Sequence, residues 1–243
     1  NDTSKVTLVV RQIRSINETD YNLWLAYAEK HQWNLQFQNN EGDVQVENKD
    51  NIFTGELSYH LDNDIKIQFS HTDFIQVNQQ VNIAMVKQAI DWLQPKSNEH
   101  ILDLFCGLGN FSLPLAKLAN QIIGVEGVQS MVDKASANAK LNNINNCHFY
   151  QADLNSDWLS MKWAEGSYNK VLLDPARAGA EKAIKQVVEL EIPIVLYVSC
   201  EPTTLASDSQ FLLLNGYHIE KIALIDMFSQ TKHIETMVLF SRK

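Results

Sequence analysis

The sequence predicts a doubly wound α/β fold: a Rossmann-like parallel sheet with a C-terminal antiparallel strand, preceded by a small α+β subdomain. From about Gln76 onward, short and nearly continuous apolar segments alternate with helical patterns, which is typical of a parallel sheet covered on both faces. The preceding stretch carries only a strand, a helix and a hairpin pattern, which is too little for an enzyme of its own. We therefore expect a small subdomain over residues 1–72 and a larger domain over residues 73–243.

The small subdomain is predicted from three local patterns. Residues 5–14 contain the apolar run of a strand. Residues 57–61 and 65–69 alternate apolar and polar side chains on either side of a turn at 62–64, which predicts a hairpin. Residues 18–33 predict a helix. Its apolar positions are Tyr21, Trp24, Leu25 and Ala28, and its candidate N-caps are Asn17, Thr19 and Asp20.

The larger domain is predicted as a helix, then strands separated for the most part by helices, and finally two further strands. Predicted strands occupy residues 100–105, 121–125, 147–151, 170–173 and 194–199. Predicted helices occupy residues 81–93, 128–141 and 180–190, and another begins near Pro202. The last two predicted strands, 217–227 and 235–241, have no clear helix between them, so a hairpin would make one of them antiparallel.

Composition and charge exclude several classes of protein. The 243 residues include 20 Lys and Arg against 29 Asp and Glu, a net charge of −9, whereas simple nucleic-acid binders carry an excess of positive charge. No apolar run approaches the roughly 20 residues of a membrane-spanning helix. The three cysteines are widely spaced, which argues against a disulfide framework or a cysteine-rich metal site and favours the reducing cytoplasm. We expect no metal ligands, no membrane contact and no protein partner.

The candidate ligand site lies at the carboxyl ends of the predicted strands, where open parallel sheets bind ligands near the point at which strand order reverses. The first strand runs into a glycine turn, DLFCGLGN at residues 103–110. Its two glycines allow a tight turn and a close approach of the backbone to a ligand, and the free N–H groups of a helix N-terminus follow. The later strands are followed in turn by Glu126, Asp153, Asp174 and Cys200.

This pattern separates two classes of cofactor. The nicotinamide fingerprint G-x-G-x-x-G/A needs a third small residue where the chain has Ser112, and it includes neither Asp103 nor Phe105. S-adenosylmethionine is favoured by a strand that ends in an acid, a phenylalanine and two glycines and by the acid that closes each of the next strands. Glu126 could then bind the ribose hydroxyls of this cofactor. The alternative is that these acids only cap the helices that follow.

Cys200 is the candidate nucleophile, although a free cysteine is by default a buried and inert side chain. It emerges from a buried strand at the rim of the sheet, and a helix beginning near Pro202 would lower its pKa and raise its thiolate fraction. Cys106 is expected to pack beneath the cofactor, and Cys147 is expected to be structural.

A thiol beside a methyl donor suggests one reaction in particular. Carbon 5 of uracil is too weak a nucleophile to take a methyl group directly, but a thiolate that adds to carbon 6 creates an enolate whose carbon 5 can attack. A base must then remove the carbon-5 proton so that the cysteine can leave. Glu235 at the start of the last strand is the candidate base, the alternative being an exposed carboxylate at a strand end.

Four segments are specific enough to identify a family. They read DLFCGLGNF at 103–111, LDPARAG at 173–179, VSCEPTTL at 198–205, and DMF and HIETMVLF within 226–240. In this order they closely resemble the RNA uracil-5-methyltransferase family. The DPARAG and HIE versions are most similar to the branch that acts on 23S ribosomal RNA (the RumA/RlmD type), and the resemblance extends from about Asp73 to the C-terminus.

The resemblance implies a methyltransferase catalytic domain over residues 73–243 that uses S-adenosylmethionine to methylate carbon 5 of a specific uridine in 23S ribosomal RNA. It implies that Cys200 is the nucleophile and Glu235 the base. It implies a cofactor site lined by Gln76, Phe105, Asn110, Glu126, Asp153 and Asp174. Arg177 is a candidate contact to an RNA phosphate or the target base, and a structural role at a helix start is the alternative.

The chain departs from the pattern of this family in one respect. Full-length members of the branch carry an N-terminal oligonucleotide-binding domain of the TRAM type and a cysteine-ligated iron–sulfur cluster, and neither occurs in these 243 residues. We therefore interpret the chain as a fragment that retains the catalytic domain, and expect the cluster only in the full-length protein. Two alternatives stay open: a methyltransferase acting on nitrogen or oxygen with Cys200 merely packed, and a non-catalytic RNA-binding fragment.

Overall fold

The computed structural model describes residues 6–39, 44–46, 57–62 and 64–242. The chain divides into two compact units, one formed by Asn1–Tyr59 with Gln68–Asp73 and the other by His60–Ile67 with Phe74–Lys243. Of the predicted elements, the start of the first strand at Lys5 and Asn63 in the hairpin turn lie outside the described residues.

The first unit contains a three-stranded sheet and one helix. In chain order its elements are β1 (Thr7–Arg11), α1 (Glu18–His31), β2 (Asn34–Gln38) and β3 (Val44–Val46). Strand β2 lies between β1, to which it is parallel, and β3, to which it is antiparallel. Helix α1 begins as predicted, because the Asn17 side chain accepts a hydrogen bond from the Asp20 N–H at 2.8 Å.

A two-stranded sheet follows, formed by β4 (Leu57–Leu61) and β5 (Ile65–Phe69). This sheet confirms the predicted hairpin. The apolar side chains that alternate along the two strands are largely buried, including Leu57, Tyr59, Leu61, Ile65 and Ile67. Strands β2 and β3 were not predicted.

The second unit is built around a seven-stranded sheet. Its strands are β6 (His100–Leu104), β7 (Gln121–Glu126), β8 (Cys147–Gln151), β9 (Lys170–Leu173), β10 (Ile194–Ser199), β11 (Tyr217–Ile225) and β12 (Glu235–Arg242). Their order is β11-β12-β10-β9-β6-β7-β8. The neighbours from β10 to β8 are parallel, whereas β12 is antiparallel to both β10 and β11. The C-terminal antiparallel strand is thus confirmed.

Five helices accompany this sheet in the described part of the chain. They are α2 (Gln79–Leu93), α3 (Ser112–Ala116), α4 (Gln129–Leu141), α5 (Glu181–Glu189) and α6 (Pro202–Leu214). The predicted helices correspond to α2, α4, α5 and α6, with ends that differ by a residue or two. The helix start predicted after the glycine turn corresponds to α3, whose bounds were not predicted, since its five residues are too few to show a period and include Pro114. No helix of the described residues is long and apolar enough to cross a membrane.

The topology of the large sheet fixes where a ligand can bind. From β6 the chain adds β7 and β8 on one side, and it then returns to the other side of β6 to add β9 and β10. Strand order therefore reverses between β6 and β9, and the crevice at their carboxyl ends is the expected ligand site. Asp103 lies at the end of β6 and Asp174 directly follows β9.

Candidate active site

The glycine turn after β6 has a backbone that few residues can adopt. Gly107 and Gly109 have φ values of 53° and 91°, and Phe105 has a φ of 64° although it is not glycine. A Cβ added at Gly109 would lie 3.1 Å from the Leu113 side chain, so this position is also spatially restricted. Positive φ at a non-glycine residue is uncommon and marks a turn that its surroundings hold in place.

Glu126 holds this turn from the neighbouring strand. One of its carboxylate oxygens accepts a hydrogen bond from the Gly107 N–H at 3.2 Å, and the other accepts one from the Val128 N–H at 3.1 Å. A carboxylate offers about four acceptor positions, and these two bonds use two of them. Glu126 thus closes β7 as predicted and keeps acceptor capacity for the hydroxyls of a ligand.

Two asparagines from neighbouring helices also hold the turn. The Asn138 side chain in α4 donates to the Leu108 carbonyl at 3.2 Å. The Asn82 side chain in α2 forms a reciprocal pair with Asn110, in which each amide donates to the other at 2.9 Å. Asn110 is therefore oriented from the side of α2.

Asp103 is fully buried near the carboxyl end of β6. Its Oδ2 accepts a hydrogen bond from the Ser112 hydroxyl, whereas its Oδ1 is buried without a partner. Burial raises the pKa of Asp103 to about 7, and the Glu126 carboxylate adds to the increase while the Ser112 hydrogen bonds oppose it. A buried acceptor without a donor usually indicates a missing water or ligand.

Asp174 and Gln76 are two further predicted residues of the crevice. Burial raises the pKa of Asp174 well above its ordinary value, and repulsion by the carboxylates of Glu235 and Asp103 adds to this. The Gln76 side-chain oxygen is buried without a hydrogen-bond partner. The half-buried Asp174 therefore lies near two buried acids, Asp103 and Glu235, on the rim where the strand order reverses.

Asp153 lies in a different environment, because it is exposed after β8. Its carboxylate accepts hydrogen bonds from the Asn155 N–H at 2.9 Å and from the Ser156 hydroxyl at 2.7 Å. The Ser156 bond and then the Asn155 bond lower the pKa of Asp153. Asp153 thus closes a local turn, which is close to the capping role considered as the alternative for these acids.

Cys200 and Glu235 lie opposite each other at the rim. The last paired residues of β10 and β12 are Ser199 and Thr236, and Cys200 and Glu235 directly adjoin that pair. The Glu235 carboxylate lies close enough to Cys200 to raise the pKa of its thiol. Glu235 is only 2% exposed, and burial raises its pKa to about 7. It is therefore not the exposed strand-end carboxylate considered as the alternative, and a carboxyl group with this pKa is suited to accept a proton near neutral pH.

The predicted direction of the Cys200 pKa was wrong. Burial raises it above the ordinary value, and the carboxylates of Glu235 and Asp174 add to the increase. The backbone N–H of Cys200 and the Arg177 guanidinium lower the pKa, but they are outweighed. The prediction considered only the N-terminus of α6, whereas the two acids reach the thiol from β9 and β12, which are distant in sequence.

The other two cysteines are buried, as expected for structural residues. Burial raises the pKa of Cys106 and of Cys147, so both remain thiols. Cys106 packs under the glycine turn, where its sulfur would lie 3.1 Å from a Cβ added at Gly124. Cys200, which keeps partial exposure, is thus the cysteine best placed to react.

Arg177 is exposed just before α5, and its carbonyl accepts a hydrogen bond from the Thr204 hydroxyl at 3.2 Å. Its guanidinium lies close enough to Cys200 and Glu201 to lower the pKa of both. The backbone contact to α6 supports the structural role considered for Arg177. The positive charge near the thiol is compatible with a contact to the target base, which stays a prediction.

Comparison with known proteins identifies the family to which this architecture belongs. The family model described as tRNA (uracil-5-)-methyltransferase matches residues 11–243. The chain belongs to this family. The 23S rRNA (uracil(1939)-C(5))-methyltransferase RlmD of Colwellia psychrerythraea is 54% identical over 239 residues, which cover 98% of this chain and 51% of that protein. The protein of the same name in Vibrio parahaemolyticus is 47% identical over 235 residues, which cover 97% and 52%.

The chain therefore spans about half the length of the curated relatives it matches. Among solved structures, the Pyrococcus abyssi tRNA (uracil-54, C5)-methyltransferase in complex with S-adenosyl-L-homocysteine aligns with a TM-score of 0.70 at 23% identity, covering 96% of this chain and 55% of that one. The magnesium protoporphyrin IX methyltransferase of Synechocystis aligns with a TM-score of 0.53 at 18% identity, covering 68% and 81%. These similarities confirm the methyltransferase fold, and the relatives confirm the resemblance to the 23S ribosomal RNA branch.

Sequence reasoning missed two residues that support the candidate site, Asn82 and Ser112. Both are buried polar side chains that bind candidate site residues. Asn82 could have been found, because it interrupts the apolar face of α2 three residues before Met85. Within the described ranges, no three His, Cys, Asp or Glu side chains come together as a metal ion would require.

Proposed function

We propose that this chain is the catalytic part of an S-adenosylmethionine-dependent enzyme that methylates carbon 5 of a specific uridine in 23S ribosomal RNA. The observation that carries the proposal is the pairing of β10 with β12, which brings a partly exposed thiol, Cys200, opposite a buried base, Glu235. The two relatives at 54% and 47% identity are named as 23S rRNA (uracil(1939)-C(5))-methyltransferases, which supports the same substrate.

The residues of the crevice fit S-adenosylmethionine. Asp103 Oδ1 and Gln76 Oε1 are buried acceptors without a donor, and Glu126 keeps acceptor capacity for vicinal hydroxyls. The glycine turn lets the backbone approach a ligand closely. The residues proposed to hold the group are Gln76, Phe105, Asn110, Glu126, Asp153 and Asp174. When bound, S-adenosylmethionine supplies an electrophilic methyl group.

The chain's own residues perform the two steps that the pyrimidine needs. The partly exposed Cys200 thiol releases its proton to solvent, and the resulting thiolate forms a bond to carbon 6 of the uracil while the electron pair of the 5,6 double bond moves toward carbon 5 and oxygen 4. Once carbon 5 carries the new methyl group, Glu235 accepts the proton from carbon 5, the double bond re-forms, and the sulfur–carbon bond breaks. The target uridine must leave its stack, since both carbons are inaccessible within a helix.

A trapping experiment tests this assignment. With 23S ribosomal RNA fragments that contain 5-fluorouridine, carbon 5 has no proton for Glu235 to accept, so the protein should stay covalently bound and migrate as a protein–RNA adduct on a denaturing gel. We expect no adduct with Cys200→Ser. We expect an adduct with Cys147→Ala, the matched control, because Cys147 is buried at the start of β8. Trapping that persists in Cys200→Ser would contradict the proposal.

Glu235→Gln separates the second step from the first. The amide cannot accept the carbon-5 proton, so ordinary uridine RNA should be methylated and remain attached to the protein. Multiple turnovers by Glu235→Gln at the unsubstituted rate would remove Glu235 from the mechanism.

The partial burial of Cys200 and its raised pKa favour a second candidate, a methyltransferase acting on nitrogen or oxygen with Cys200 merely packed. Full methylation activity in Cys200→Ala would support that candidate, because such a reaction needs no thiol.

A further inference from the structure

Asn82 is a polar residue on a helix face that is otherwise apolar. The buried side of α2 consists of Asn82, Met85, Val86, Ala89 and Leu93. Asn82 is only 2% exposed. A buried amide is costly unless it is hydrogen-bonded, so its presence here needs a specific partner.

That partner is Asn110 in the glycine turn. The Asn82 Nδ2 donates to Asn110 Oδ1 at 2.9 Å, and the Asn110 Nδ2 donates to Asn82 Oδ1 at 2.9 Å. This reciprocal pair engages both Oδ1 and Nδ2 of Asn110, and it thereby fixes the rotamer of Asn110 and the orientation of its amide relative to Asn82. Turning the Asn110 amide by 180° would place donor against donor and acceptor against acceptor, and both bonds would be lost.

The backbone of Asn82 is fixed in turn by the start of α2. Its N–H donates to the Asn78 carbonyl at 2.9 Å, and the Asn78 side chain caps the helix by accepting from the Val81 N–H at 3.2 Å. Gln76, with its unpartnered buried oxygen, lies two residues before this cap. The first turn of α2 therefore connects the segment that carries Gln76 to the turn that carries Asn110.

We infer that Asn82 is a positioning residue of the S-adenosylmethionine site, which acts through Asn110 by holding the glycine turn in register with the segment around Gln76. This inference rests on the proposed function, because it assigns a role at the cofactor site of that enzyme. Asn82 itself need not touch the cofactor.

The dissociation constant for S-adenosylmethionine, measured by titration calorimetry on this chain, tests the inference. We expect Asn82→Ala to raise the dissociation constant about tenfold, since the two neutral hydrogen bonds that orient Asn110 are lost. Asn82→Asp keeps the shape of the side chain, but both of its carboxylate oxygens are acceptors. One would still accept from Asn110 Nδ2, whereas the other would face the Asn110 Oδ1 acceptor. Asn82→Asp should also weaken binding, and it serves as the second variant if Asn82→Ala folds poorly.

A double-mutant cycle separates positioning from general support of the fold. If Asn82 acts through Asn110, then Asn82→Ala should cause no further loss of affinity in a chain that already carries Asn110→Ala. Asn146→Ala is the matched control, because it removes side-chain bonds to the carbonyls of Ala116, Ala119 and Asn120. Asn146 immediately precedes β8, so it lies at the end of that strand opposite to the ligand rim. The Asn146→Ala variant should therefore lower the melting temperature and leave the dissociation constant for S-adenosylmethionine unchanged.

The outcomes are distinct. Unchanged affinity in Asn82→Ala and Asn82→Asp, or additive losses in the double variant, would overturn the inference while leaving the proposed function in place. If the unsubstituted chain failed to bind S-adenosylmethionine at all, the proposed function would be overturned and the inference with it.

Discussion

Replacing Glu235 by Gln should make the fold more stable, and increasingly so as pH rises. Glu235 is 2% exposed, and burial raises its pKa from the ordinary 4.5 to about 7. Between these pH values the folded state holds a proton that the unfolded state has released, so the free energy of unfolding decreases as pH rises through this window. Below pH 4.5 both states are protonated and Glu235 contributes no such penalty.

The magnitude follows from the two pKa values. A difference between 4.5 and about 7 corresponds to about 3 kcal/mol at pH 8, at about 1.4 kcal/mol for each tenfold change in proton affinity. Gln has the same shape and stays neutral, so Glu235→Gln should be about 3 kcal/mol more stable than the unsubstituted chain at pH 8 and nearly equal to it at pH 4.5. The removal of repulsion from Asp174 acts in the same direction.

Urea unfolding at a series of pH values, followed by the fluorescence of the fully buried Trp158, measures this difference. Glu181→Gln is a suitable control, because Glu181 is exposed and its carboxyl pKa is lowered by Lys185 rather than raised. The reasoning would be refuted if the stability gain of Glu235→Gln were the same at pH 5 and pH 8, or if the control gave a gain of similar size and pH dependence.

Two further predictions concern the support of the site. Lys170→Met should lower the free energy of unfolding in urea by about 3 kcal/mol, because the nearly buried ammonium donates to Glu99 at 2.5 Å and to the Gln94 carbonyl at 2.8 Å. Its loss removes the cationic partner of Glu99 and leaves that carboxylate with the hydrogen bond from the Lys96 N–H; a change below 0.5 kcal/mol would contradict this. Gly109→Ala should weaken S-adenosylmethionine binding, because alanine disfavours a φ of 91° and its Cβ would press on Leu113 at 3.1 Å; calorimetry showing unchanged affinity would contradict it.

The sequence was informative where a residue's position depends on its own strand. Buried parallel strands are apolar runs of four to eight residues, so the bounds 170–173 and 194–199 were predicted without error. The bounds 147–151 of the edge strand β8 were also predicted without error, although that strand is mostly exposed. Once those strands were placed, the rule that ligands bind at their carboxyl ends selected Asp103, Glu126 and Asp174. Strand β2 was missed because its sequence, NLQFQ, contains only two apolar residues and resembles a loop.

Features that depend on several elements at once could not be predicted. Burial raises the pKa of Cys200, and Glu235 and Asp174, which reach the thiol from two other strands, raise it further; no local pattern contains that information. The orientation of Asn110 likewise depends on Asn82 in a helix that precedes the sheet. The sequence thus identified which residues reach the rim, while their electrostatic environment required the structure.

The direction of the last strand explains why the thiol and the base can meet. In a wholly parallel sheet, each strand contributes to the ligand rim only the residues at its carboxyl end. Because β12 is antiparallel to β10, its first residue, Glu235, lies at the same rim as Cys200, which follows the last residue of β10. Insertion of β12 between β10 and β11 also covers both of its edges, so the base is buried and its pKa is raised as proton transfer from carbon 5 requires. The antiparallel hairpin therefore builds the proposed second catalytic group, and the parallel strands alone would provide only the thiol.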